Sequence, residues 1–318
     1  MSRVLVTGAN GFVGAALCER LARDGHAVRR AVRLAERAPA GSDAAVVGEI
    51  GAATDWRDAL RGVDSVVHTA ARVHVMHDSA EQPYLETNAE GTRRLALAAV
   101  EAGVKRLVVL SSIKVNGEGG DGRVYRATDP PSPTDAYGRS KLAAESYALE
   151  IGRARGLEVV VLRVPLVYGP GVRANFLRLM HWVASRRPLP LGAVRNLRSL
   201  LGLGNLCDLL CLLREHPAAP GKVWLGADGE DLSTPDLIRR LARAFGTDAR
   251  LLAVPPVCLR LAGALTGRGA EVARLCGSLQ LDITPARGQL GWRAPRTVDE
   301  ELALAARWFR SQEAVQGG

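Results

Sequence analysis

Thr7-Gly8-Ala9-Asn10-Gly11-Phe12-Val13-Gly14 follows the apolar run Arg3-Val4-Leu5-Val6-Thr7 and opens an amphipathic stretch, Val13–Arg23. This order of strand, glycine loop and helix decides the fold. Gly8 permits the tight turn, Gly11 lets the backbone approach a pyrophosphate, and Gly14 allows helix and strand to pack closely. The helix start adds oriented N–H groups and a partial positive charge for an anion. Asn10, Phe12 and Val13 complete the loop. The spacing is G-x-x-G-x-x-G rather than G-x-G-x-x-G, in a chain with 34 Gly. The flanking strand and helix therefore give the motif its meaning as a dinucleotide site.

Further strand-like runs occur at Ala27–Val32, Ala44–Val47, Ser65–His68, Leu107–Leu110 and Val159–Arg163. Amphipathic stretches at Ala80–Ala102 and Tyr137–Arg155 lie between them. Strands apolar along their whole length, alternating with helices, predict an α/β protein with a Rossmann-type, doubly wound parallel sheet. After Val167 prolines punctuate shorter elements, which reads as a smaller C-terminal α/β substrate-binding domain. The expected division is 1–171 for the dinucleotide domain, with 197–216 returning to it, and 172–196 plus 217–312 for the second domain. The stretch Leu251 to Gly267, broken by Pro255-Pro256 and Arg260, reads as a loop and a buried helix, and the tail from Ser311 as frayed.

The end of the second strand distinguishes cofactors, because an acid there suits a ribose and an Arg suits a 2′-phosphate. Here Ala31-Val32-Arg33 supplies no acid, so NADP(H) is favoured, with NAD(H) the alternative. Glu49-Ile50 follows the third strand, where an adenine ring would rest.

Composition bounds the partners. The 318 residues carry 42 Lys+Arg against 33 Asp+Glu, a formal charge of +9. Such a balance raises nucleic acid or an anionic membrane as a partner. The Arg is dispersed, however, with no run of like charge, and it replaces Lys almost throughout, so no nucleic-acid partner is expected. No stretch is long and apolar enough to span a bilayer, so no membrane insertion is expected. The first apolar run reads as a strand rather than a secretory signal. The five Cys are odd in number and show no metal spacing. His74, His77 and Asp78 are poorly spaced for a metal, and none is expected. A soluble, reduced, cytoplasmic protein is the default.

Only four Lys occur, Lys105, Lys114, Lys141 and Lys222, so each carries information. Tyr137 and Lys141 stand at i, i+4 on a helical stretch and share one face. A phenol, whose ordinary pKa is near 10, must lose its proton to act as a general base near neutrality. An adjacent ammonium favours the phenolate, and Lys141 is expected to supply it while also holding a nicotinamide ribose. Upstream, the strand Leu107–Leu110 ends in Ser111-Ser112 at the carboxyl edge of the sheet, where Ser112 suits the reacting oxygen.

Together the Thr7–Gly14 loop, His68-Thr69-Ala70-Ala71, Asn88 within Thr87–Thr92, Ser111-Ser112 and Tyr137-x-x-x-Lys141 resemble an extended short-chain dehydrogenase/reductase. The subgroup resembled is that of nucleotide-sugar epimerases, dehydratases and reductases, and Arg163-Val164-Pro165 through Gly171 continues the likeness. The resemblance implies that Thr69, Ala70, Ala71, Asn88, Ser111 and Pro165 join the loop, Tyr137 and Lys141 around NAD(P). It implies catalysis by Ser112, Tyr137 and Lys141. A UDP-sugar would meet Ser112, Lys114, Asn116, Asn175 and Arg198, the last two at its diphosphate. A homodimer would fit the family.

The residues after Ser112 sort the reactions. The 4,6-dehydratases of the family carry an Asp-Glu pair there, whereas this chain has Ile113-Lys114. The decarboxylases use a Glu where Lys114 stands, and GDP-fucose synthases a Cys where Ile113 stands. Hydride and proton transfer at one carbon remain. Asn116 replaces the more usual Tyr of 4-epimerases, so the resemblance points to a UDP-4-keto-6-deoxy-N-acetylhexosamine 4-reductase of surface-polysaccharide synthesis. A 4-epimerase with retained NAD is the alternative. A non-catalytic NADP-holding scaffold is the rival from another class.

Overall fold

Seven parallel strands form one sheet in the computed structural model, which describes residues 2–73, 80–120 and 122–316. In chain order the strands are β1 (Arg3–Thr7), β2 (Ala27–Val32), β3 (Asp43–Val46), β4 (Ser65–His68), β5 (Arg106–Ser112), β6 (Val124–Tyr125), β7 (Glu158–Val164), β8 (Leu166–Tyr168), β9 (Leu200–Gly202), β10 (Val223–Leu225) and β11 (Gln280–Leu281). The large sheet runs β10-β7-β5-β4-β1-β2-β3. Its order reverses beside β1, so a crevice opens at the carboxyl ends of β1 and β4, the place such sheets bind ligands. The register brings Thr7 opposite both Ala31 and His68, and Ser112 opposite Val164.

The central strands are buried on both faces, which explains their unbroken apolar runs. On one face helices Phe12–Arg23 and Leu203–Glu215 press Leu17, Leu21, Leu206 and Leu210 onto the sheet. On the other face Leu95, Ala99 and Ala148, from helices Gly91–Glu101 and Ala136–Arg155, meet Leu107 and Val161. A third cluster, built on helices Ala174–Ala184, Thr234–Ala244 and Val298–Gln316, is the core of the second lobe. Phe12 packs against both the first cluster and this one, joining the lobes beside the glycine loop.

Several expectations need correction. Val223–Leu225, assigned from sequence to the substrate domain, is the edge strand beside β7. Three residues around Trp224 are too short to show a periodicity, and pairing with β7 is what makes them a strand. The stretch Ala80–Ala102 is helical without a break from Gln82 to Glu101, with a π-helical segment, Leu85–Glu90, inside it that the sequence did not announce. Helix Val298–Gln316 runs through most of the tail expected to fray. Helix Pro256–Leu265, expected to be buried, lies on the surface, with Gly263 its one fully buried residue. His74, His77 and Asp78 lie outside the described residues.

Candidate active site

The glycine loop is shaped by contacts that no side chain could share. A Cβ on Gly14 would lie 2.1 Å from the Gly8 carbonyl oxygen, and one on Gly8 would lie 2.8 Å from the Ala70 nitrogen. Gly8 also has φ +65°, which glycine adopts without strain. Thr69 Oγ1 donates to the Thr7 carbonyl (2.6 Å), and the Ala70 N–H donates to Thr7 Oγ1 (3.2 Å). The loop, Thr69 and Ala70 thus line one crevice, with Gly11 capping helix Phe12–Arg23. Asn10 Nδ2 donates to the Arg37 carbonyl (2.8 Å), which ties the loop to the segment after β2. A cradle in which added carbons would strike backbone fits a pyrophosphate laid on the helix start.

Beneath the crevice lies a buried polar chain. Thr7 Oγ1 and His68 Nδ1 are 2.7 Å apart, and His68 Nε2 and Thr92 Oγ1 are 3.1 Å apart. Thr92 already donates to the Asn88 carbonyl (2.6 Å), so the network assigns the proton to His68 Nε2, with Nδ1 accepting from Thr7. Burial, reinforced by the Lys141 ammonium, drives the imidazole pKa down to about 3 and keeps the ring neutral. Asn88 then bonds Arg72 N–H and carbonyl (2.8 and 3.0 Å) and donates to Ser140 Oγ (2.9 Å). Its amide is spent on protein. It shapes the crevice wall instead of presenting its side chain to a cofactor, because an amide buried this deeply must satisfy its own donors and acceptor.

Helix Ala136–Arg155 brings in the tyrosine and the lysine. Asp135 caps it by accepting from Gly138 N–H (2.7 Å), and Gly156, left-handed at φ +75°, ends it. Gly138 is required beside Tyr137, since a Cβ there would lie 2.9 Å from the Lys114 carbonyl. Tyr137 is half-buried, on the helix that packs against the end of β5 where Ser112 stands. Its phenol is pushed up to about 12 by burial, opposed by the Ser112 hydrogen bond and reinforced by the Asp135 charge. The groups that set it do not include Lys141, contrary to expectation. Lys141 instead acts on His68 and is itself drawn upward by Glu145.

Lys141 is only 2% exposed, and among the described residues its ammonium has no hydrogen-bond or ion-pair partner. Burial lowers its pKa to about 8. A buried cation without an acceptor fits a ligand that brings hydroxyl oxygens, such as a nicotinamide ribose.

Other expected residues are occupied elsewhere. Ser111 Oγ donates to Glu145, which also holds Arg163 through three contacts, the shortest 2.6 Å. Arg163 donates in turn to Asn116 Oδ1 (2.8 Å), while Asn116 Nδ2 donates to the Arg126 carbonyl (2.9 Å). Asn116 is fully buried, so it does not face a substrate. Lys114 is paired with Asp135 and with Glu118, steadying the start of the tyrosine helix. Arg198 Nη1 donates to the carbonyls of Arg274 (2.7 Å) and Gly277 (3.0 Å), satisfying a helix end that lacks internal donors. Asn175 sits exposed on the first turn of helix Ala174–Ala184 and accepts from Arg178. Arg33 lies on the surface, 3.0 Å from Glu49, rather than standing alone. Pro165 is buried between β7 and β8, and Ile50 packs at the start of helix Gly91–Glu101, where its Cγ2 would meet a Cβ on Gly91 at 2.5 Å. Glu145 and Arg163 escaped the sequence reading as site residues. Glu145 at i+4 from Lys141 was the available signal.

The model of the NAD dependent epimerase/dehydratase family matches residues 4–226, which include the loop, β4, Ser112, Tyr137 and Lys141. The chain belongs to that family. It is therefore an NAD-dependent enzyme of the epimerase/dehydratase type, in the extended short-chain dehydrogenase/reductase group. Among relatives, the UDP-glucose 4-epimerase of Vibrio cholerae is 42% identical over 312 residues, covering 96% of this chain and 95% of that one. The dTDP-6-deoxy-L-talose 4-dehydrogenase (NAD(P)(+)) of Kitasatospora kifunensis is 31% identical, covering 95% and 93%. Among solved structures, MoeE5 in complex with UDP-glucose and NAD superposes with a TM-score of 0.77 at 29% identity, covering 98% and 99%. Family membership extends the likeness from the glycine loop into the second lobe.

Proposed function

We propose that this enzyme is a 4-epimerase of a UDP-hexose or UDP-hexosamine that retains NAD between turnovers. The observation that carries the reading is Ser112 at the carboxyl end of β5, with Tyr137 and the buried Lys141, which has no partner among the described residues, on the helix packed against that strand, and no carboxylate following Ser112. That set can move one proton and orient one oxygen, which is what chemistry at C4 requires. The 42% identical UDP-glucose 4-epimerase and the NAD-bound structural relative support it. The bound nicotinamide supplies the hydride acceptor and donor. Tyr137 takes the C4 hydroxyl proton and later returns it, Ser112 holds that oxygen, and Lys141 binds the ribose hydroxyls. The Gly8–Gly14 loop holds the pyrophosphate, and Asn175 with the remaining donors of Arg198 meets the sugar diphosphate. The enzyme works in the cytoplasm beside its soluble nucleotide substrates.

One observation favours a second reading, 4-keto reduction with NADPH. β2 ends without an acid, and the exposed Arg33–Glu49 pair is weak enough for a 2′-phosphate to displace Glu49. The 31% identical 4-dehydrogenase, named for either cofactor, is consistent with it.

Identification of the nucleotide released on denaturing the purified protein separates the two. Near-stoichiometric NAD(H), with interconversion of UDP-glucose and UDP-galactose or their N-acetyl forms without added cofactor, is expected. An empty protein that oxidises NADPH with a UDP-4-keto-6-deoxy sugar establishes the reductase, and inactivity in both assays removes both. Arg33→Asp is expected to shift relative affinity towards NAD(H), read by fluorescence titration; unchanged ratios would take Arg33 out of the cofactor site.

A further inference from the structure

Helices Pro256–Leu265 and Gly269–Cys276 form a hairpin on the second lobe. Leu259 and Cys276 anchor it to that lobe's core, and Val272 packs against Gly263 so closely that a Cβ there would lie 2.8 Å from it. The outer face is apolar. Val257, Leu261 and Leu265 recur at i, i+4 and i+8, so they form one stripe, and they are 55%, 62% and 89% exposed. Leu252 and Leu275 nearby in sequence are exposed as well. A grouping of this kind marks an interaction surface more than an ordinary solvated face does.

The charges indicate what covers it. The segment 256–276 carries Arg260, Arg268 and Arg274 against a single acid, Glu271, which lies 3.9 Å from Arg178. Arg260 and Arg268 are exposed beside the stripe. A ten-residue helix is about 15 Å long, half of a bilayer's hydrocarbon thickness, so it can lie in a membrane surface but not cross it. A second copy fits less well, since a two-fold contact sets this face against itself, and the segment offers three Arg but a single acid to pair with them. We propose that the hairpin docks on an anionic bilayer surface, with Val257, Leu261 and Leu265 entering the acyl boundary and Arg260 and Arg268 meeting lipid phosphates.

Flotation of the full chain with vesicles of phosphatidylglycerol and phosphatidylethanolamine tests this. Wild-type protein is expected to float with them at low salt, at least tenfold more than with phosphatidylcholine vesicles. Leu261→Glu with Leu265→Glu is expected to cut the bound fraction at least tenfold while leaving the melting temperature unchanged. Leu265→Ser alone, at the most exposed position, serves if the double variant misfolds, with a smaller loss expected in the same direction. Absence of flotation, flotation indifferent to lipid charge, or variants that float like wild type would overturn the proposal. So would a wild-type dimer by light scattering that Leu265→Ser dissolves, in protein that binds no vesicles.

Discussion

At the residue scale, Lys141 shows how a site residue can oppose the fold that carries it. Its charge is buried without an acceptor among the described residues, and its folded pKa near 8 lies below the usual 10.5. The native state therefore penalises the proton, fully below pH 8, and the penalty fades as pH rises from 8 to 10.5. Lys141→Met is expected to stabilise the cofactor-free protein by about 3 kcal/mol at pH 7. The gain should shrink towards zero above pH 10, with turnover lost throughout; urea midpoints at pH 7 and 9.5 check the sign. Tyr137 sits at the other extreme, with a phenol held protonated by burial. Tyr137→Phe keeps the ring and removes only the proton carrier, so cofactor affinity should persist while turnover falls about 10²- to 10⁴-fold. A variant retaining a tenth of the wild-type rate would remove Tyr137 from the chemistry. Both residues were legible in the sequence because a Tyr-x-x-x-Lys pair is rare in a chain with four lysines. The direction of each pKa was not, because desolvation depends on what the rest of the chain packs around the group.

At the element scale, the glycine loop and the Glu145–Arg163 pair do different work. Gly14→Ala places a carbon against the Gly8 carbonyl, and helix Phe12–Arg23 cannot retreat from the sheet without opening the Leu17 and Leu21 contacts. A loss of about 1–3 kcal/mol is expected, together with loss of nucleotide binding by calorimetry. Glu145 and Arg163 join helix Ala136–Arg155 to β7, and through Ser111 and Asn116 to the end of β5 and the turn beyond it. Glu145→Gln leaves the guanidinium buried with a neutral partner, at an expected cost of about 3–5 kcal/mol in the urea midpoint. A change below about 1 kcal/mol would mean water reaches the pair. Strands were readable because buried parallel strands are apolar throughout. Helix burial was less so: Pro256–Leu265 has a core-like composition, and only its position on the outside of the second lobe exposes Leu261 and Leu265.

At the scale of the whole molecule, the site collects residues from the ends of β1, β4 and β5 and from the helix between β5 and β7, all on one edge of one sheet. Sequence by itself determined the parallel sheet, the loop at its first crossover, the place of Ser112 at the end of β5 and that of Tyr137 and Lys141 on one helix. Those features are written in local terms: apolar runs, glycine spacing and helical periodicity. Tertiary structure alone decided that Val223–Leu225 closes the sheet beside β7, and that Asn88, Ser111 and Asn116 turn inward to buried partners. It also decided that Arg198 and Lys114 hold helix ends. These side chains find partners up to 79 residues away, and the edge strand pairs with one far back in the chain. A polar side chain's role is fixed by whichever donor or acceptor burial leaves beside it, and that pairing exists only once the chain has folded.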